Sequence, residues 1–156
     1  MWLERLRLWL LCLALIGLPN CATVPPLPPV NLQEPGWTVQ EGQAVWRMKR
    51  KDPELAGEIL LATHSDGRTF VQFSKSPFPL MIGQSTADTW QVEVPTQNKR
   101  YSGHGQPSGR LIWLWLPRVL SGQPPPKGWS WQNLENGGWN LENASTGELL
   151  EGYFAQ

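Results

Sequence analysis

The amino-acid sequence predicts a mainly β protein: an incomplete antiparallel β-barrel, or curved sheet, with one helix packed over its apolar face. Short segments in which apolar and polar residues alternate recur along the chain, as in half-buried antiparallel strands. The 156 residues include 15 glycines and 15 prolines, which favour many turns over long helices. Only residues 111–120 have the composition of a helix.

Composition and charge exclude several classes of function. The 13 basic and 13 acidic side chains give no net charge, so no overall field would draw the chain to nucleic acid. Both histidines lie in glycine-containing turns, and the sequence contains none of the common metal-binding or hydrolase motifs. We therefore expect a protein that is not an enzyme and that needs no metal or other cofactor. We also expect a monomer.

The N-terminus has the features of an export signal. Arg5 and Arg7 precede an unbroken apolar run over residues 8–18, and Cys21 follows. Such a run is too short to cross a bilayer as a helix, so it indicates a signal peptide over residues 1–20. The order of these features resembles a bacterial lipoprotein signal, in which the cysteine is lipidated and becomes the first mature residue. A plain secretory signal with an incidental cysteine is the alternative.

Cys21 is the predicted lipidation site. Cys12 lies within the signal, so Cys21 is the only cysteine of the mature chain and no intramolecular disulfide can form. Two or more acyl chains hold a protein stably at a membrane. Residues 21–36 then form a proline-rich tether, about 30–45 Å long if fully extended. By resemblance to known sorting signals, Ala22 directs the protein to the outer membrane, where it is anchored by lipid and faces the periplasm.

The first strands follow the tether. One is expected at residues 43–50, and after a polar turn a strand that is apolar on both faces is expected at 57–63. The dipeptide Asp66-Gly67 then favours the positive φ of a hairpin turn. The next strand is expected at residues 69–75.

The segment at residues 76–87 is unusually apolar. It contains six consecutive apolar residues where a hairpin is normally polar. Its two prolines argue against an ordinary central strand, so we expect a loop with only a short strand near residues 80–84. This loop either folds over the core or presents Phe78 and Leu80 to the outside. A strictly alternating strand follows at residues 89–94.

The second half of the chain predicts one helix among further short strands. A strand is expected at residues 100–103, and residues 111–120 are almost wholly apolar. Within that stretch Pro117 either kinks one continuous helix or starts a short helix as its first residue. The last strands are expected at residues 129–135, 138–143 and 148–154, which gives seven to nine strands in all.

Tryptophan is far more abundant than usual, with ten in the chain. Most of them fall at inward-facing strand positions or in the predicted helix. The simpler interpretation is that these rings fill the core of a small domain. They could instead line an apolar cavity for an acyl chain, and both can hold because a cavity wall is also a core. The predicted lining residues are Trp46, Trp90, Val92, Trp113, Trp115 and Trp131.

A small basic cluster lies at the end of the first predicted strand. Its members are Arg47, Lys49, Arg50 and Lys51. We interpret this cluster as a solvated strand face. Contact with phospholipid headgroups is the alternative.

Three features together resemble the outer-membrane lipoprotein receptor family LolB and, more loosely, its periplasmic carrier relative LolA. The first is a lipidated cysteine followed by a linker and a strand-rich domain. The second is the SPFP turn at residues 76–79, which is similar to a family loop of the type Asn/Ser-Pro-Leu-Gly between two strands. The third is LPRVLSGQP at residues 116–124, which is similar to a family helix that ends in Leu-Gly-x-Pro.

The resemblance implies a LolB-like half-barrel over residues 37–156, with a helical lid over an apolar cavity. It implies a protein that accepts the acyl chains of lipoproteins from a LolA-like carrier and helps to insert them in the outer membrane. Phe78 stands at the position of the protruding apolar residue of the family loop, and Phe78, Leu80 and Met81 are expected to enter the membrane. The expected partners are thus outer-membrane lipids, acylated lipoproteins and such a carrier. The alternative is a non-enzymatic envelope lipoprotein of the same fold that binds a lipid or a protein without transferring lipoproteins.

Overall fold

The computed structural model describes residues 24–155, in which short turns connect nine strands and one α-helix. The strands are β1 (Trp37–Arg47), β2 (Leu55–His64), β3 (Thr69–Lys75), β4 (Phe78–Ser85), β5 (Thr89–Val94), β6 (Lys99–His104), β7 (Trp129–Asn133), β8 (Gly138–Asn143) and β9 (Leu149–Phe154). The helix is α1 (Ile112–Leu120), and single 3-10 turns occur at Pro95–Gln97 and Glu135–Gly137.

All nine strands belong to one sheet in which neighbouring strands run antiparallel. Their spatial order is β6-β5-β4-β3-β2-β1-β9-β8-β7. Strand β1 pairs with β9 and thereby joins the two halves of the chain, whereas β6 and β7 are the edges. The sheet is curved and does not close, and α1 packs on its apolar face against β2, β3 and β4. The predicted fold class is therefore confirmed.

Strand β4 corrects the prediction of an apolar loop. It begins at Phe78 and pairs with both β3 and β5, so it is a central strand in spite of its prolines. Pro77 lies in the two-residue turn before the strand, where no ladder hydrogen bond is needed. Pro79 lies opposite Ser74, where the register between β3 and β4 shifts. Prolines at a turn and beside a bulge leave the rest of the strand free to pair.

The structure also corrects the limits of the first strand and decides between the two alternatives for the helix. Strand β1 begins at Trp37 and ends at Arg47, because its N-terminal part pairs with β2 as far as His64. Of the two alternatives for the apolar stretch, the continuous helix is correct, and Pro117 lies inside it. Among the described residues, no helix is both long and apolar enough to span a bilayer.

The core lies between α1 and the apolar face of the sheet. Seven of the helical residues are buried, and Phe73 and Met81 on the sheet are 0 % and 1 % exposed. The rings of Phe73 and Trp113 stack with their centroids 5.1 Å apart. Burying one large apolar side chain contributes about 1.5–3 kcal/mol. The helix is thus fixed on the sheet by most of its surface.

Glycines let β1 and β9 approach each other closely. A Cβ at Gly152 would lie 2.6 Å from the carbonyl oxygen of Gln43 and 2.7 Å from the ring of Trp139. A Cβ at Gly42 would collide with the backbone of Tyr153. Side chains at these positions would push apart the two strands that join the halves of the sheet.

Candidate functional site

The hairpin between β3 and β4 carries the predicted membrane-insertion residues, which differ in exposure. Phe78 is 67 % exposed, the highest value among the exposed large apolar side chains. Leu80 is half-buried and packs against the core, and Met81 is 1 % exposed and lies opposite Phe73. In this conformation Phe78 alone is presented to the outside, and Met81 is a core residue.

The six predicted cavity-lining residues lie in one apolar cluster around α1. Val92, Trp113 and Trp115 are buried, and Trp46, Trp90 and Trp131 are half-buried at its margin. Trp46 meets Trp113 edge to face, with the ring centroids 5.4 Å apart. All six side chains therefore lie on the apolar side of the sheet, in or beside the core. In the conformation described, α1 lies against them and they act as core.

Surface grooves lie elsewhere on the described part of the chain. Four grooves have volumes between about 410 and 630 Å³, and none of them is lined by any of these six residues. One lies on the outer face of the sheet and is lined in part by Gln43, Glu58 and Tyr153. Another lies beside the end of α1, next to Arg68 and Arg118.

Three indole groups in the apolar cluster, and that of Trp37 beside His64, lack a hydrogen-bond partner. Among residues 24–155, the buried indole N–H groups without an acceptor are those of Trp37, Trp90, Trp113 and Trp139. In contrast, Trp129 donates to the carbonyl of Gly109 at 3.0 Å, and Trp115 donates to that of Ser108 at 3.3 Å. An unpaired buried donor costs about 1–3 kcal/mol. The unpaired indoles are therefore the least satisfied polar groups of the core.

The described part of the predicted tether lies against the outer face of the sheet. The backbone N–H of Leu27 donates to Oε1 of Gln91 at 2.9 Å. Gln91 is 1 % exposed and donates through Nε2 to Glu93 at 2.7 Å. Residues 26–30 border a groove of about 630 Å³ with Phe70 of β3. The chain from Leu27 onward therefore follows the sheet instead of extending away from it.

A second set of contacts fixes the tether to the hairpin between β2 and β3. Arg68 donates to both carboxylate oxygens of Glu34, at 2.8 and 3.3 Å, and to Asp66 at 2.8 Å. His64 lies 2.8 Å from Asp66 through Nδ1 and 3.0 Å from the carbonyl oxygen of Pro35 through Nε2. The backbone N–H of Arg68 is the main cause that lowers the pKa of Asp66 to about 2. The side chain of Arg68 likewise lowers the pKa of Glu34.

The predicted basic cluster is divided between structural and free side chains. Arg47 pairs with Glu54 at 2.9 Å, and Arg50 donates to the carbonyl of Ala144 at 2.7 Å. These arginines connect the turn after β1 to the turn between β8 and β9. Lys49 and Lys51 are exposed. The residues of the cluster thus do not form one uniform solvated face.

Sequence reasoning did not identify the contacts of the tether. Gln91 sits at an outward position of an alternating strand, which predicts exposure, and Leu27 lies 64 residues before it. No local pattern relates positions so distant in sequence. The predicted signal peptide at residues 1–20 and Cys21 lie outside the described residues.

No protein-family model matches the chain, and no curated protein matches it.

Proposed function

We propose that this protein is a LolB-like lipoprotein, anchored to the outer membrane through Cys21, that accepts acyl chains of lipoproteins and helps to insert them in that membrane. The observation that carries the proposal is the exposure of Phe78 at the tip of the hairpin between β3 and β4. Its side chain is 67 % exposed, although the same strand continues into the core at Met81.

Phe78 is suited to enter the acyl boundary of a bilayer. Burial of one such side chain contributes about 1.5–3 kcal/mol. That free energy favours contact with lipid without making the contact irreversible. Leu80 follows in the same strand and packs against the core. Strand β4 therefore connects the exposed tip to the aromatic cluster.

The length of the free tether is compatible with this placement. Leu27, which is fixed to Gln91, follows Cys21 by six positions, so the anchor lies within about 20 Å of that side chain. Gln91 pairs with Gln84, and Phe78 lies six residues further along β4, also about 20 Å away. The lipid anchor and Phe78 can therefore occupy the same membrane plane.

The acyl-binding site of this proposal is the face between α1 and the sheet. In the conformation described, side chains of α1 occupy that face, so acceptance of an acyl chain requires α1 to move outward as a lid. The connections on both sides of α1 contain glycines, at Gly109 and Gly122. Trp90 and Trp113 have unpaired indole N–H groups there. The carbonyl that joins an acyl chain to its carrier is an acceptor of the kind they lack.

The test uses the chain from Ala22 onward, which keeps every described element. A hydrophobic fluorescent probe is bound and then displaced by a palmitoylated peptide, with the unacylated peptide as control. Delivery of the lipopeptide to phospholipid vesicles is measured next for the wild type, Phe78→Glu and the matched control Phe78→Leu. We expect Phe78→Glu to accept the lipopeptide and fail to deliver it, and Phe78→Leu to do both. Normal delivery by Phe78→Glu would show that the hairpin only caps the core.

A second candidate is a lipid-anchored envelope protein of the same fold that binds a lipid or a protein without transferring lipoproteins. The packing of α1 onto the six predicted lining residues favours it. The same experiment separates the two functions. A folded domain that takes up neither the probe nor the lipopeptide would be an anchored interaction protein.

A further inference from the structure

The lysines of the chain all lie at one end of the half-barrel. Lys49 and Lys51 are in the turn after β1, and Lys75 is the last residue of β3. Lys99 is the first residue of β6, and Lys127 lies two residues before β7. Because neighbouring strands are antiparallel, the end of β1, the end of β3 and the starts of β6 and β7 lie at the same end of the sheet. The sequence has no other lysine.

This lysine end carries an excess of free positive charge. All five lysines are exposed, and none has a carboxylate within 4.0 Å among residues 24–155. The turns at this end contain three acidic side chains. Glu54 pairs with Arg47, and Glu148 is half-buried. Asp52 is thus the one left to offset the charge of the lysines. The whole chain has no net charge, so the positive charge here is a local feature.

Two exposed apolar side chains stand among the lysines. Phe78 faces Lys75 across the hairpin, and Met48, directly after β1, is 44 % exposed. Large apolar side chains surrounded by lysines are typical of surfaces that enter the interface of an anionic membrane. An acidic protein surface would satisfy the lysines but would give no reason for an exposed phenylalanine at the tip.

We propose that the lysine end is a docking surface for a bilayer that contains anionic phospholipid. Lys49, Lys75 and Lys99 contact the phosphate-bearing headgroups, and Phe78 enters the acyl boundary between them. Each lysine near such a surface strengthens binding by about fivefold. The inference rests on the membrane-facing position of Phe78 proposed above, but it does not require transfer of an acyl chain. The lysine end would make binding selective for anionic phospholipid, which an acyl anchor alone does not.

The test measures binding of the chain from Ala22, without an anchor, to vesicles. Phosphatidylcholine vesicles with and without phosphatidylglycerol are sedimented at low and high salt. We expect binding to the anionic vesicles that weakens with salt, and little binding to the neutral vesicles. The combined variant Lys49→Gln/Lys75→Gln/Lys99→Gln should bind about 100-fold more weakly. Phe78→Ser should lose about tenfold while keeping the salt dependence.

The matched control is the combined variant Ala87→Glu/Gln106→Glu/Gln123→Glu. These three exposed residues follow β4, β6 and α1 and lie at the opposite end of the sheet from the lysines. The control changes the net charge by the same three units as the lysine variant. Because its charges lie away from the docking surface, it should leave vesicle binding nearly unchanged.

Two outcomes would overturn the inference. The wild type, folded by circular dichroism, could fail to bind anionic vesicles, in which case the lysines serve another partner such as an acidic protein. Alternatively, the control Ala87→Glu/Gln106→Glu/Gln123→Glu could weaken binding as much as the lysine variant, and the attraction would then depend on net charge alone. Neither outcome affects displacement of the probe by the palmitoylated peptide, so failure here is distinguishable from failure of the acyl-acceptor function.

Discussion

The backbone N–H of Leu27 donates to Oε1 of Gln91 at 2.9 Å and so fixes the start of the described chain to the middle of β5. Gln91 is 1 % exposed, and its amide also donates to Glu93, which in turn accepts from Arg100 at 3.0 Å. A buried side-chain amide is tolerated only when its polar atoms are paired. The proline-rich segment provides one of those partners, so tether and sheet stabilise each other.

Replacement of Gln91 by leucine should release the tether without unfolding the domain. The variant leaves the N–H of Leu27 without its acceptor, which costs about 1–3 kcal/mol. We expect hydrogen exchange at the amide of Leu27 to become at least about tenfold faster. The strands should keep their protection, because leucine fits an apolar, buried position.

Gln97→Leu is the control for that experiment, since Gln97 is exposed in the turn after β5 and makes no side-chain hydrogen bond in the described residues. Its exchange pattern should equal that of the wild type. If Gln91→Leu also leaves exchange at the amide of Leu27 unchanged, apolar contacts hold the segment and the side-chain amide is dispensable.

The sequence predicted the sheet well because its strands alternate. Trp90 and Val92 lie towards the core, as their period of two requires. The same rule puts Gln91 on the opposite face, but it does not predict that a remote segment covers that face and buries Gln91. The prediction of a loop at residues 76–87 was wrong for a similar reason. A rule for interior strand positions was applied to Pro77 and Pro79, which lie in a turn and beside a register shift.

The candidate site was only partly predictable for a related reason. The residues alone left open whether Phe78 is exposed or folded over the core, and only the resemblance to the family loop pointed to exposure. The burial of Met81 depends on the bulge between β3 and β4, which sets the face that each later residue of β4 takes. The collection of five lysines at one end requires strand order and direction, and these appear only once the sheet is assembled.

Acid should weaken the attachment of the tether to the hairpin between β2 and β3. Chiefly through its side-chain hydrogen bonds, Arg68 lowers the pKa of Glu34 below its ordinary value of 4.5. This contact exists only while the tether is attached, so the attached state binds fewer protons than the released state. Its stability is complete above pH 4.5 and is lost as pH falls through the lowered pKa of Glu34. The amide NMR shifts of Leu32 and Arg68 should follow this transition. The pKa of Asp66 is lowered to about 2 by contacts within the hairpin itself and so does not depend on the tether.

Glu34→Gln should weaken the same attachment at neutral pH. Glu41→Gln is the control, because Glu41 is exposed and belongs to no ion pair among the described residues. Shifts that stay constant down to pH 2 in the wild type would mean that these exposed ion pairs contribute nothing to the attachment.

Glu148→Gln should stabilise the protein at neutral pH. Burial raises the pKa of Glu148, and the hydrogen bond from Trp46, 3.2 Å long, opposes this only in part. The folded state therefore binds more protons than the unfolded state. The wild type loses stability as pH rises from the ordinary value of 4.5 through the raised pKa of the folded state. Glutamine keeps an acceptor for Trp46 without the charge.

Urea unfolding of Glu148→Gln at a series of pH values checks this sign. The advantage of the variant should be absent at low pH and grow towards neutral pH. An advantage of the same size at every pH would assign it to packing, and a loss of stability at neutral pH would mean that the carboxylate is stabilising.

Two tryptophans of similar burial should respond differently to replacement by phenylalanine. Trp113 is 4 % exposed and has an unpaired indole N–H, whereas Trp129 is 8 % exposed and donates to Gly109 at 3.0 Å. Both variants lose the same ring volume. Trp129→Phe also leaves a carbonyl without its donor, while Trp113→Phe removes a donor that has no acceptor. The free energy of unfolding should therefore fall more for Trp129→Phe, by about 1–3 kcal/mol.

Trp115→Phe supplies an intermediate case, because the indole of Trp115 makes the longer bond to Ser108, at 3.3 Å. Urea unfolding of the three variants should rank them with Trp113→Phe the most stable and Trp129→Phe the least. Equal losses for Trp113→Phe and Trp129→Phe would show that the indole of Trp113 is paired in solution. Trp113 would then lose its role as a donor for the carbonyl of an acyl chain, and the acyl-acceptor proposal would rest on Phe78 and the indole of Trp90.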